Sequence, residues 1–222
     1  MRELLLIGHE LRGMLATGHL LRLLPLALLA PLFALWPYIG SPFVPAALAT
    51  LIVLEPFYNN DLNLWRGQLT AGVVLPADLM RTMRQRNIAL IILTWASAGF
   101  FALLVAYVQP EPPAISHLVS FALYMASIQF PLLILGCMLS WQQIRPRSRW
   151  SLEDAAAAII MVIGGALVSL PYLFIAGLPG DGVILLAYTG GMAGIWWAYA
   201  LPRTAQTIQE RLPDLWQQIH LT

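Results

Sequence analysis

A run of about 20 apolar residues crosses the ~30 Å hydrocarbon core of a bilayer as a single helix. Apolar runs of that kind follow one another through most of this chain. With 59% hydrophobic and 10% charged residues, the sequence has too little polar surface to clothe a soluble globule. The expected fold is all-α, a polytopic integral membrane protein. Six transmembrane helices are expected at about 20–39, 43–58, 88–108, 114–139, 155–176 and 183–201. An interfacial helix over 1–19 precedes them, a polar loop over 59–87 divides the second from the third, and a polar tail over 203–222 follows.

The segments between the runs have their own character. The opening MRELLLIGHELRG lacks a small-residue cleavage site ahead of a polar region, so it is not expected to be a signal peptide. At about 100° per residue Leu4, Ile7, Leu11, Met14 and Leu15 share one face, with Arg2, His9 and Arg12 opposite, a pattern for lying in the membrane interface. Pro25, Pro31 and Pro37 are expected to kink the first span. The second is short for a bilayer. In the tail, Ile208, Leu212, Leu215 and Ile219 form a helical stripe expected to rest on the membrane or a partner.

All twelve basic residues are arginine, and the chain has no lysine. That excludes a P-loop lysine and any Schiff base, so ATP-driven work would have to come from another chain. The arginines also orient the molecule. With the N-terminus inside, six spans place Arg2, Arg12, Arg22, Arg66, Arg81, Arg84, Arg86, Arg145, Arg147, Arg149, Arg203 and Arg211 on the cytoplasmic side and none outside. Both termini are therefore expected in the cytoplasm.

Residues that could carry chemistry are few. His9, His19, His117 and His220 do not pair at metal or haem spacing, and the single Cys137 lies inside an apolar run. No catalytic residue, metal site or cofactor is expected, and the chain is not expected to be an enzyme or to bind nucleic acid. Glu55, near the inner end of the second span, is the one acidic side chain at membrane depth. Gly164, Gly165, Gly190, Gly191 and Gly194 would let helices approach closely within the bundle or at a dimer seam. Trp196, Trp197 and Tyr199 read as an inner aromatic belt.

The most informative stretch is DLNLWRGQLTAGVVLPADLMRTMRQRN, residues 61–87. Pro76 suits a first helical position and Asp78 the positive helix end. Leu79, Met80 and Met83 form an apolar stripe opposite Arg81 and Arg84. The expectation is a short amphipathic helix between two spans, from Asp78 to Arg86, available to a soluble partner.

This order of parts resembles the permease subunit of a type-two ATP-binding-cassette (ABC) exporter. Asn60, Asp61, Gly67, Leu75, Pro76 and the run from Asp78 to Arg86 match that family's region between spans two and three. Arg86 and Asn87 stand where the family usually has lysine or Gly-Lys, and LPGDG leaves little room for its extra outer half-helices. The resemblance implies a coupling helix at 76–86 seated on a separate ABC ATPase subunit, and a second permease copy, identical or not, completing the transporter. It also implies surrounding membrane lipids, a bacterial inner (plasma) membrane location, and outward transport of a lipid-like, peptide or other amphiphilic cargo. The alternatives are a non-catalytic membrane scaffold or assembly factor, and a haem-export permease of the cytochrome-maturation type. An integral-membrane lipid enzyme would show clustered Asp, His or Ser at one depth, and no such cluster is apparent in the sequence.

Overall fold

The computed structural model describes residues 2–16, 43–58, 79–111, 114–139, 163–164, 167, 170, 172, 174–175 and 179–220. Among these residues every regular element is helical: α1 (Arg2–Ala16), α2 (Val44–Tyr58), α3 (Leu79–Val108), α4 (Ile115–Leu139), α5 (Asp181–Ile195), a π-helical turn (Trp196–Ala200) and α6 (Leu201–His220). Among the described residues three helical stretches are long and apolar enough to cross a membrane, Met80–Val108, Ile115–Cys137 and Asp181–Glu210. The expected span over 20–39 lies outside the described residues, as do Pro76 and Asp78. Of the expected fifth span, residues 163, 164, 167, 170, 172, 174 and 175 are described, and all are helical.

α2 and α4 begin and end within a residue of the expected limits. α3 differs. It starts at Leu79 and runs without a break to Val108, so the basic stretch is the first two turns of the spanning helix and not a separate short helix. The cause is the uninterrupted helix-forming sequence LMRTMRQRNIALI, which holds neither Pro nor Gly between the arginines and the apolar run. The last helix departs in the same direction. No break falls between 201 and 203, and the expected tail continues the preceding span.

α3 is the hub of the bundle, with α1, α2 and α6 packed on it, while α4 packs against α2, α5, the π turn and α6. Phe43, Leu54, Leu90, Phe101, Met125, Ile128, Leu133, Leu201 and Ile208 are fully buried along these contacts. Met14 of α1 is buried, and Ile7 and Leu11 pack against the core. Leu15, expected on that same face, is exposed. Thus α1 buries its stripe in protein, against α3, and does not spend it all on lipid.

The π turn keeps the last helix in phase. Its wide turn is closed by the Leu201 N–H donating to the carbonyl of Trp196, five residues back. Leu185 and Trp196 are 11 residues apart, and at about 100° per residue they share a face, both buried. Carried on as α-helix, Thr204 and Ile208 would have rotated about 80° and 120° from Trp196. A π turn amounts to one extra residue, which takes back about 100°. Thr204 and Ile208 accordingly return to the bundle side, where both are buried.

Four buried polar side chains, Thr50, Thr94, Ser127 and Gln129, are satisfied within their own helix or across to the next. Thr50 donates to the Ala46 carbonyl, Thr94 to Leu90 and Ser127 to Tyr124, each within its own helix. Gln129 of α4 accepts from Trp95 Nε1 at 2.9 Å, and its Nε2 donates to the Ile91 carbonyl at 3.5 Å, stitching α4 to α3. Such hydrogen bonds in membranes average about 0.6 kcal/mol and reach about 1.7. Gln129→Leu is therefore expected to lower stability by about 1 kcal/mol in micelle unfolding, with an increase in Trp95 mobility. Unchanged stability would show that the bond is not holding the two helices together.

Candidate functional site

The expected coupling residues fall into two groups once α3 is seen as one helix. Leu79 opens it. Met83 is buried at 4% exposure, and Arg86 is buried beside it in sequence, with Gln85 and Asn87. Met80 is 37% exposed, and Arg81 and Arg84 are partly exposed. The expected stripe of Leu79, Met80 and Met83 is thus divided, with Met83 facing the core and Met80 facing outward. Met80 and Arg84, four residues apart, share the outward side of the helix, so Met80 does not stand opposite Arg84 as expected.

Behind Arg86 lies a layer of polar contacts joining three helices. The Cys137 thiol of α4 lies beside the side chains of Asn87 of α3 and Thr204 of α6. The Thr204 hydroxyl lies 2.8 Å from the Ala200 carbonyl and 3.2 Å from that of Cys137, so one proton serves two acceptors. Asn87 is 2% exposed, and its Nδ2 has no hydrogen-bond partner. Sequence reasoning took Cys137 as a small buried hydrophobe. It is buried, but its role in this layer was invisible, because Asn87 and Thr204 lie at the ends of segments that read as cytoplasmic.

Toward the outside, the guanidinium of Arg84 sits over the Trp197 ring, 5.4 Å from its centroid. The two adjacent tryptophans differ in exposure although their rings meet edge to face, with centroids 5.7 Å apart. Trp197 is half-exposed, whereas Trp196 is buried and packs against Phe130 with ring centroids 5.8 Å apart. Trp196 therefore belongs to the core and not to the expected interfacial belt, which Trp197 and Tyr199 fit by their exposure. Trp196 shares the buried face of Leu185, and Trp197, about 100° further round the helix, does not.

Glu55 belongs to α2, one residue beyond the fully buried Leu54, and its side chain lies outside the described residues. Gly164 lies against Leu135 of α4 so closely that a methyl group there would overlap the Leu135 side chain. Gly190, Gly191 and Gly194 have no atom within 4 Å of where a Cβ would stand, so in this chain they face open space. Among the described residues no three His, Cys, Asp or Glu side chains gather as metal ligands. What the arrangement offers is a basic, aromatic-flanked helix end mounted on a buried polar layer, a geometry for binding and for transmitting movement. Compared with known proteins, the chain matches no family model, no curated protein and no solved structure.

Proposed function

We propose that the chain is the membrane-spanning permease subunit of an ABC transporter, exporting a lipid-like, peptide or other amphiphilic cargo. The observation that carries this reading is the continuity of α3. Met80–Val108 has 29 residues, about 43 Å of helix, against about 30 Å of hydrocarbon. The surplus falls at the basic end, so Met80, Arg81 and Arg84 stand at the end of a rod on which α1, α2 and α6 pack. A push on that end from a nucleotide-driven subunit would move the rod and every helix touching it, the task the sequence resemblance gives to residues 76–86. The positive-inside pattern supports a cytoplasmic location for this end, in a bacterial inner membrane, where an ATPase would reach it. A second permease copy would meet the first along the open glycine face of α5.

The test is purification of the tagged full chain from native membranes. A copurifying protein with P-loop sequence and ATP hydrolysis is the expected result, while the isolated chain binds no ATP at micromolar concentration. Nucleotide binding by the isolated chain, or a stable partner without a P-loop, would overturn the permease reading, and the latter would favour the scaffold.

A further inference from the structure

We propose that Arg84, stacked on Trp197, is the headgroup contact of an anionic-phospholipid site on the outward face of α3. This does not rest on the transport reading. The guanidinium carbon of Arg84 lies over the Trp197 ring, 5.4 Å from its centroid, and the side chain is partly exposed. The planar fork of a guanidinium can grip a phosphate through two parallel hydrogen bonds, and an aromatic neighbour leaves its charge unpaired for one. Among the described residues Arg84 contacts an aromatic ring and no carboxylate, so its charge is not neutralised by the protein there.

Depth agrees with this assignment. Arg84 is 24 residues from Val108, about 36 Å along the helix, and so lies several ångströms beyond the hydrocarbon, in the headgroup layer. The surface leading away from it suits an acyl chain. At about 100° per residue, Ile88, Ile92 and Trp95 lie on the same side of α3 as Arg84. Ile92 and Trp95 are both exposed. A cation at the phosphate level, followed by an apolar track into the hydrocarbon, matches a phospholipid from head to tail. An acidic soluble protein would find the cation but could not follow the track.

The experiment is native mass spectrometry of the full-length chain with equal amounts of phosphatidylglycerol and phosphatidylcholine. One basic contact contributes about 1 kcal/mol, so the wild type is expected to retain phosphatidylglycerol about fivefold better. Arg84→Gln should bring retention down to the phosphatidylcholine level, and Trp197→Leu should reduce it. Arg84→Lys should fall between, keeping the charge without the planar fork. Arg203→Gln, an exposed arginine on α6, should behave as wild type. Circular dichroism checks that each variant is folded; if Arg84→Gln is not, Arg84→Lys and Trp197→Leu decide. Equal retention of the two lipids by the wild type would overturn the site. So would undiminished phosphatidylglycerol retention in the folded variants at 84 and 197, an equal loss in Arg203→Gln, or displacement of the lipid by millimolar inorganic phosphate.

Discussion

Inserting one alanine after Ala198 is expected to detach the inner half of the last helix, while deleting Ala198 leaves the bundle assembled. The insertion turns α6 by a further 100° or so relative to α5. Leu201 and Ile208, both fully buried, would then leave the core. Emptying a site of that size costs about 2–5 kcal/mol, so losing both costs about 4 kcal/mol or more. The deletion removes the extra residue that makes the turn wide, restores regular α-helix and keeps Trp196, Thr204 and Ile208 on one face. Ala198 is itself exposed, so its removal opens no cavity. Maleimide labelling of Cys137, which is fully buried beside Thr204, reports the outcome. The insertion should make the thiol reactive, and the deletion should leave it protected. Equal labelling in both would show that helical phase is not what the π turn maintains.

That turn also marks where the sequence stops being legible. The ends of α4 could be read because an apolar run is bounded by QPEPP on one side and by Trp141 with three nearby arginines on the other. Hydropathy sees such edges directly. It does not see that Leu79–Ile88 belongs to the helix that follows, since arginines lower the local average whether or not the backbone changes direction. The π turn had one available signal: Leu185 and Trp196 fall on one α-helical face, whereas Ile208 falls on it only if a residue is skipped. Of the site, Arg84 was named as part of the basic end, but its seat on Trp197 was not foreseeable. The two residues are 113 positions apart, and their meeting depends on how α3 and α6 cross. The Asn87, Cys137 and Thr204 layer was hidden for the same reason.

Met83→Ala carries the other large expected effect, and it is an effect on folding. Met83 is 4% exposed within the core, and truncating a buried methionine costs about 2–5 kcal/mol. Met80→Ala, on the outward side three residues earlier, should change stability by no more than about 0.5 kcal/mol. Unfolding in mixed micelles separates the two. The pair also sharpens the test of transmission. If a partner subunit seats on this end, Met80→Ala weakens its association in a chain that is otherwise stable, whereas Met83→Ala weakens it by loosening α3. Equal stability of the two variants would mean that Met83 does not anchor the helix. A partner bound undiminished by Met80→Ala would place the contact elsewhere on the chain.

The central position of α3 bears on the order in which the protein is made. α1 leaves the ribosome well before its packing partner, a helix that begins at Leu79, more than 60 residues later. The third partner, α6, is synthesised later than α3 and docks on the same helix. Contacts this distant in sequence form slowly, because a long loop must close before any packing is gained. α1 must therefore wait at the membrane surface with Ile7, Leu11 and Met14 uncovered until α3 is inserted. The hub is complete only after Ile208 has been added. Nascent chains stopped between these points would present unfinished helix surfaces to insertases and quality-control proteases, and α1 would be the longest exposed.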